Sequence, residues 1–223
     1  SDNDCLSFGD SVNDSPFSIS AWVKMDDATK FRIVTKAGGG TNDNEYALFT
    51  SSTDQLFLQL YDLSTGAKRN RYSTTPLTSY EGQWIHIVAT YNGQGGGNAY
   101  NGIDLYLNGV QFDNATGQAG SYTAMHNTTA PLEIGKITTS YANGLIDEVA
   151  IFDIELSSTE VTNIYNNGVP NDISSLSPVS WWRMGDAATF AGGNWTLTDQ
   201  GSGGNNGRSV NMIDGSRSTD VPS

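Results

Sequence analysis

An acidic pair inside an otherwise apolar segment is the first candidate for chemistry in this sequence. Asp147 and Glu148 lie in GLIDEVAIFD, whose other residues alternate in the manner of a β-strand. Such a pair could serve catalysis, bind a metal ion or lie on a half-solvated strand face. Because neighbouring strand residues point to opposite faces, the two carboxylates are not expected to share a substrate. We expect Glu148 to be a solvated strand residue.

Other residues with catalytic potential do not form a recognisable constellation. His86 lies in a predicted strand and His126 in a polar loop, and no Ser-His-Asp or His-rich metal spacing connects them. Cys5 is the single cysteine, so an internal disulfide is excluded, and we expect a buried structural thiol there. The glycine clusters lack the Lys-Ser/Thr that follows in a phosphate-binding loop.

The charge balance excludes two classes of partner. The chain carries 24 acidic and 11 basic residues, a formal net charge of −13. This charge would repel the phosphates of nucleic acids and anionic lipid surfaces. No apolar run approaches the roughly 20 residues that a membrane-spanning helix needs. We therefore expect neither nucleic-acid binding nor membrane insertion.

Short β-strands must position whatever site the chain has. Nine segments alternate with period two between clusters of Gly, Asn, Asp, Ser and Thr, which is typical of an all-β antiparallel sandwich. They are CLSF, FSISAWVKM, FRIVTKA, EYALFT, QLFLQLYD, QWIHIVATY, IDLYLNGVQF, APLEIGKI and LIDEVAIFD. Three glycine-rich or polar loops, 37–44, 92–102 and 113–129, are either ligand-binding loops or plain connections.

Two local signals fix a turn and a helix. Asn108-Gly109 between apolar runs predicts a type I′ hairpin turn. Ser157 and Glu160 have the spacing of a capping box, and apolar residues at helical spacing follow them. The sequence thus predicts one short helix after the strand series.

The order of these segments resembles the laminin G-like, concanavalin A-like lectin/glucanase family. FSISAWVKM, a strand ending in Lys-Ala-Gly, QWIHIVATYNG, IDLYLNGV, PLEIGK and GLIDEVAIFDIELSSTEV carry the resemblance, which covers roughly residues 5–167. The resemblance implies a two-sheet antiparallel jelly-roll sandwich.

The family often carries a structural calcium ion, and the resemblance implies candidate ligands. Asp147 matches the position of a family ligand, and Asp10 and Asp186 are the other candidates by family position. The usual Phe-Asp-Gly reads Phe8-Gly9-Asp10 here, which departs from the pattern at Asp10. A calcium ion needs six to eight oxygens, so backbone carbonyls would have to join these carboxylates.

The C-terminal segment 178–223 is similar to the segment that normally opens such domains. PVSWWRMGDAATF resembles an aromatic opening strand, yet it comes last. Either the domain is circularly permuted, or the segment begins a further repeat. We favour permutation within a single domain, 1–223, because Trp181, Trp182 and Met184 would otherwise be exposed.

The resemblance also bears on activity. Glycoside hydrolases of this fold cluster carboxylates in a Glu-x-Asp-x-Glu pattern on one strand, and none of the six glutamates belongs to such a pattern. We therefore expect no enzymatic activity. Sugar binding, the common non-catalytic activity of the family, uses aromatic rings that stack on sugar faces. Tyr61, Tyr72 and Tyr106 are the candidates because they fall on strands or strand ends where they could face outward.

Two functions follow as expectations. The first is a carbohydrate-binding or adhesion module, extracellular or displayed on a virion or other particle surface. The second is a structural or decoration protein of a virion, for instance of a phage, or of a large surface assembly, acting through protein contacts. The expected partners are glycans or other protein chains of an assembly, with homo-oligomers among the arrangements. Fold alone does not choose between the two.

Overall fold

The computed structural model describes residues 6–38 and 43–223, and most of their regular structure is β-strand. Cys5 and the centre of the 37–44 loop lie outside the described residues. In chain order the strands are β1 (Phe17–Met25), β2 (Arg32–Ala37), β3 (Asn44–Thr50), β4 (Leu56–Asp62), β5 (Ala67–Tyr72), β6 (Trp84–Tyr91), β7 (Ile103–Leu107), β8 (Val110–Gln111), β9 (Ala115–Ala119), β10 (Leu132–Ile134), β11 (Lys136–Ile137), β12 (Ser140–Tyr141), β13 (Gly144–Phe152), β14 (Ser180–Trp182), β15 (Thr189–Ala191), β16 (Asn194–Leu197) and β17 (Gly207–Arg208). The α-helix α1 spans Ser158–Tyr165, and short 3-10 helices span Thr78–Tyr80, Ala99–Gly102, Asn166–Gly168, Ser174–Leu176 and Asp214–Ser216.

Two antiparallel sheets of six strands each form the sandwich. The first sheet has the order β14-β13-β1-β6-β7-β8, and the second has the order β10-β2-β3-β4-β5-β9. A two-stranded sheet of β11 and β12 and a three-stranded sheet of β15, β16 and β17 accompany them. The predicted all-β jelly-roll class with one short helix is confirmed.

The main core lies between the two sheets, and strand alternation builds it. Alternate residues of β1, from Phe17 through Ile19 to Val23, are fully buried against Tyr46 and Leu58 of the second sheet. Each such side chain contributes about 1.5–3 kcal/mol when it leaves water. This burial fixes the register, because a slip by one residue would turn the whole set toward solvent.

A second, smaller core covers the outer side of the first sheet. Val161 and Ile164 of α1 pack there with Val88, Phe152 and Trp181. The helix begins at the predicted capping box, since Ser157 accepts from the Glu160 amide and the Glu160 side chain accepts from the Ser157 amide. Helix α1 therefore closes this side of the sandwich.

A β-bulge interrupts β13 at the acidic pair. Ser20 opposes Ala150 and Trp22 opposes Asp147, so Glu148 is the extra residue, and its φ is 49°. A bulge re-aims the side chains beside it. The simple alternation that predicted a solvated Glu148 consequently fails at this position.

The C-terminal segment is built into the sandwich. Strand β14 pairs with β13 at the edge of the first sheet. Trp182 reaches the main core, while Trp181 packs in the core under α1. Farther on, Asp220 accepts from Lys24 Nζ at 2.6 Å and from Trp84 Nε1 at 2.8 Å.

Most predicted strands are confirmed, and two predictions need correction. The hairpin turn is confirmed because Asn108 and Gly109 both have positive φ, 51° and 78°. The strand predicted over CLSF is absent from its described part: residues 6–8 form no strand, and Gly9 makes only an isolated bridge to Asp14. The predicted loop 113–129 contains strand β9, which pairs with β5, a strand that was not predicted. None of the helices described here has the length and apolar character to cross a membrane.

Candidate functional site

The outer side of the second sheet carries a row of one guanidinium and three aromatic rings. Arg32, Phe49, Phe57 and Tyr72 oppose one another on β2, β3, β4 and β5, and we call them the aromatic row. Phe49 and Phe57 stack with centroids 5.5 Å apart, and Phe57 and Tyr72 stack at 4.6 Å with an interplanar angle of 4°. These spacings follow the ~4.8 Å distance between strands. The sheet itself therefore aligns the rings.

A second row of small or polar residues lies two residues farther along β3, β4 and β5, and three residues along β2, where the register shifts. Its members are Thr35, Ala47, Gln59, Asn70 and Gly117, which we call the polar row. A Cβ on Gly117 would come within 2.5 Å of Asn70 Oδ1, so only glycine leaves room for the amide. Gln59 and Asn70 thus lie side by side next to the aromatic row.

Tyr61 lies on the same face, two residues beyond Gln59 on β4, and so is next to the polar row. Its ring lies 5.3 Å from Lys68 Nζ on the neighbouring strand. Burial raises the pKa of the Tyr61 hydroxyl, although Gln59 and the Arg32 guanidinium favour the phenolate. The hydroxyl therefore stays protonated at neutral pH and can both donate and accept a hydrogen bond.

Two buried polar atoms on this outer face have no hydrogen-bond partner. They are Arg32 Nε and Asn70 Oδ1. Buried polar atoms are normally satisfied, so an unpaired donor and an unpaired acceptor on one face call for an explanation. Rings, amides, a hydroxyl and a guanidinium together can stack on a flat ligand and hydrogen-bond its polar groups.

The structure places two of the three predicted ligand-binding tyrosines together. Tyr61 and Tyr72 both lie on the outer face of the second sheet. Tyr106 lies on the first sheet and is only 6% exposed, because α1 and its neighbours cover it. Its predicted outward-facing position is therefore wrong: the alternation was correct, but a helix covers that side of the sheet.

The acidic pair takes part in a cluster with the C-terminal segment. Glu148 accepts from Trp181 Nε1 at 2.7 Å and from Arg183 Nε at 3.0 Å, and its side chain is 11% exposed. Burial raises the pKa of Asp147 to about 6, and the negative charges of Glu148 and Asp186 add to the rise. The expectation of a solvated Glu148 is wrong, since it anchors β14 to β13.

The three carboxylates predicted to bind calcium are not brought together. Asp147 and Asp186 are close enough to influence each other electrostatically. Asp10 is exposed and accepts from the amides of Val12 and Asn13 in a local turn. That turn lies near the start of β1, whereas Asp147 opposes Trp22, five residues and about 16 Å along the strand.

The donor set does not fit a calcium ion as it stands. Across residues 6–38 and 43–223, no group of three or more His, Cys, Asp or Glu side chains is arranged to hold a metal. Calcium requires six to eight oxygens. The calcium site at Asp147 stays a prediction.

Sequence reasoning missed most of the outer face. Arg32, Phe49, Phe57, Gln59 and Asn70 come from four strands, and only the strand register brings them together. The one local signal was the alternation of LFLQLYD, which separates Phe57, Gln59 and Tyr61 from the buried leucines. The sequence alone does not show which residues of β5, AKRNRY, lie opposite Phe57, Gln59 and Tyr61, because that depends on the strand register.

Comparisons with known proteins agree on the fold. A family model described as the concanavalin A-like lectin/glucanases superfamily matches residues 2–162. Among solved structures, a candidate carbohydrate-binding protein from Bacteroides ovatus has a TM-score of 0.61 and 17% identity. The match covers 95% of this chain and 56% of that protein, so this chain spans little more than half of its length.

A second solved structure is domain 4 of AbnA, an extracellular arabinanase from Geobacillus stearothermophilus, in complex with arabinotriose. It shows a TM-score of 0.49 and 19% identity, with 69% of this chain and 68% of that chain covered. No curated protein matches the chain.

Proposed function

The chain belongs to the concanavalin A-like lectin/glucanase superfamily, and from this premise we propose that it is a non-catalytic carbohydrate-binding module. The binding surface is the outer face of the second sheet, formed by the aromatic row, the half-buried Gln59 and Asn70 of the polar row, Tyr61 and Lys68. The name of the Bacteroides ovatus protein with the same fold is consistent with this proposal.

The observation that carries the proposal is the stack of Phe49, Phe57 and Tyr72 beside the amides of Gln59 and Asn70. Sugar rings present an apolar C–H face and a rim of hydroxyls. Because the three rings stack on one another, they present mainly their apolar edges on this face, and these edges next to the amide donors and acceptors can contact both parts of such a ligand. The first sheet offers no comparable surface over its middle strands, where α1 covers Val88 and Tyr106.

The same face supports binding without hydrolysis. Glycoside hydrolysis requires two carboxyl groups at a set separation across the scissile bond. The described members of the aromatic and polar rows include no carboxylate. Glu133, opposite Thr35 on β10, is held in an ion pair by Lys136.

A glycan array followed by calorimetry tests the proposal. We expect millimolar or tighter binding to at least one oligosaccharide class. Tyr72→Ala and Gln59→Ala should each weaken binding about fivefold to tenfold, the equivalent of about 1–1.4 kcal/mol. Phe190→Ala is the matched control, because Phe190 packs against Trp195 at 5.3 Å between ring centres in the small C-terminal sheet, away from the proposed surface. Absence of binding to every glycan at millimolar ligand would contradict the proposal.

Display outside the cell or on a particle stays a prediction from the composition and the resemblance, as does the alternative role in a virion or surface assembly. Fractionation of the producing organism or particle, with detection of this chain by mass spectrometry, checks it.

A further inference from the structure

Arg32 differs from the other half-buried cations of the molecule. Its guanidinium carbon lies 5.0 Å from the centre of the Phe49 ring, and its Nε is buried without a partner. Four other buried or half-buried cations are matched by carboxylates: Lys36 with Glu45, Arg71 with Asp113, Lys136 with Glu133, and Arg183 with Glu148. Buried Arg69 has no carboxylate partner in the part of the chain that the structure describes, but its guanidinium donates to four backbone carbonyl oxygens. Within the described ranges Arg32 makes no ion pair.

The surroundings of Arg32 impose a cost that a ligand could relieve. Burial lowers the pKa of Arg32, and the ionisable neighbour that acts against this effect is the Tyr61 hydroxyl rather than a carboxylate. A charge removed from water without a counter-charge is unfavourable. The chain has 24 acidic residues, yet no carboxylate among residues 6–38 and 43–223 pairs with this guanidinium.

Geometry leaves the guanidinium ready for an external anion. The guanidinium lies over the Phe49 ring, and a guanidinium held against an aromatic ring still presents its N–H edge in its own plane. That edge matches the two oxygens of a carboxylate. On the other side of Tyr61, Lys68 adds a second positive charge that is exposed and is engaged by the ring of Tyr61.

We propose that the outer face selects acidic sugars, with Arg32 binding the carboxylate of a uronic acid residue through its N–H edge. Phe49, Phe57 and Tyr72 then hold the sugar rings, and Lys68 strengthens the attraction without setting its geometry. This inference rests on the proposed carbohydrate-binding function and specifies its ligand class.

Uronate tetrasaccharides and their methyl esters test the inference. Oligogalacturonate, oligomannuronate and a hyaluronan tetrasaccharide are compared with the fully esterified form of each, which keeps the sugar skeleton and removes the charge. Calorimetry on the full chain should show at least one acid bound about tenfold or more tighter than its ester, the range expected for a hydrogen bond to a charged group. This comparison needs no variant.

Variants then assign the preference to Arg32. Arg32→Met should bring the ratio of acid to ester affinity close to one, chiefly by weakening the binding of the acid. Arg32→Lys should retain part of the preference, because it keeps the charge and loses the planar edge. Arg208→Gln is the matched control, since it removes an exposed arginine from β17. Thermal melts confirm that each variant is folded.

The outcomes separate this inference from the proposed function. Equal affinity for acids and esters, or a preference that survives Arg32→Met, overturns the inference and leaves the proposed function standing if binding still depends on Tyr72. A sulfated tetrasaccharide bound tighter than every uronate overturns the assignment to a carboxylate. Absence of binding to acidic and neutral glycans alike overturns both.

Discussion

At the scale of single residues, burial determines the protonation state of a polar side chain, as it does for His86. His86 is fully buried under α1, between Trp22 at 5.1 Å and Tyr165 at 6.1 Å. Its Nε2 is hydrogen-bonded to Ser20 Oγ at 2.8 Å, while Nδ1 has no partner. Burial lowers the pKa of His86 to about 3, so the ring is neutral in the folded protein.

This burial predicts an acid-sensitive fold. As pH falls below about 6.5, the unfolded chain binds a proton at His86, whereas the folded chain does so only near pH 3. The stability that neutral His86 contributes is complete above pH 6.5 and decreases as pH falls. From pH 7.5 to pH 5.0 we expect the free energy of unfolding to fall by about 2 kcal/mol through this group.

Urea unfolding of wild type and His86→Gln at the two pH values measures this contribution. The wild type should lose about 2 kcal/mol more than the variant, because glutamine does not titrate. His126→Gln, which removes the other histidine, is the control and should follow the wild type. Identical pH dependence for wild type and His86→Gln would contradict the argument.

Asp147 affects the pH dependence of the free energy of unfolding in the opposite direction to His86. Its pKa is raised to about 6, so the folded state binds a proton more readily than the unfolded state. The cost of the buried carboxylate appears as pH rises from about 4 to 6 and persists above pH 6. At pH 7.5 in EDTA, Asp147→Asn should therefore raise the free energy of unfolding by about 1–2 kcal/mol.

The same pair of proteins tests the calcium prediction. Calcium bound at Asp147 would raise the melting temperature of the wild type and leave that of Asp147→Asn unchanged. Asp153→Asn is the matched control, since Asp153 is exposed just beyond the same strand. If Asp147→Asn were less stable than the wild type in EDTA, the burial argument would be wrong. If calcium did not change the melting temperature of the wild type, the prediction of a calcium site would be wrong.

At the scale of elements, period-two alternation predicted the strands that contribute regularly to the core. FSISAWVKM coincides with β1, residues Phe17–Met25, because every second residue is buried between the sheets. Strand β5 was missed because AKRNRY carries no apolar alternation. Its inward-facing Arg69 is accommodated by the carbonyl oxygens of Gly97, Ala119 and Gly120. The local sequence pattern does not predict these hydrogen bonds, because the carbonyl oxygens come from residues that are distant in the chain.

The candidate site was predictable to a smaller degree than the strands. Tyr61 was identified because LFLQLYD alternates, and Tyr72 was identified as an aromatic residue at an expected strand end, although β5 itself was missed. Arg32 and Asn70 gain their meaning only from neighbours on other strands, since register is a tertiary property. The bulge at Glu148 likewise depends on the pairing of β13 with β1 and β14. The residues around Glu148 do not predict that pairing.

Helix α1 offers a test of one element in isolation. Ser157 accepts from the amide of Glu160, which otherwise has no partner in the first turn. Ser157→Ala should lower the free energy of unfolding by about 1 kcal/mol. Ser158→Ala, one position inside the helix, should be neutral or slightly stabilising because alanine favours helix. Equal effects of the two substitutions in urea titrations would show that the cap contributes nothing.

At the scale of the whole molecule, the two sheets have different surroundings. Helix α1 and Trp181 cover much of the outer side of the first sheet. The second sheet keeps its aromatic row half-buried and accessible. This asymmetry leaves one broad face for a ligand, and it depends on the C-terminal segment, which supplies Trp181 and the edge strand β14.

Truncation tests whether the C-terminal segment belongs to the same folding unit, which we propose. Deleting residues 178–223 removes β14 and takes Trp182 out of the main core and Trp181 out of the outer one. Loss of a buried tryptophan alone costs about 3–5 kcal/mol, a large part of the stability of a typical domain. We therefore expect the shortened chain not to fold.

Deleting only residues 210–223 is the matched control for that truncation. It keeps β14 to β17 and removes the exposed contacts of Asp220 with Lys24 and Trp84, which are weak because water and salt screen exposed ion pairs. Circular dichroism and urea unfolding should show a folded, slightly less stable protein. If the chain ending at residue 177 unfolded cooperatively with nearly the stability of the full chain, the segment would instead be the start of another repeat. The single-domain proposal would then be wrong, because the sandwich would not need these tryptophans to complete its cores.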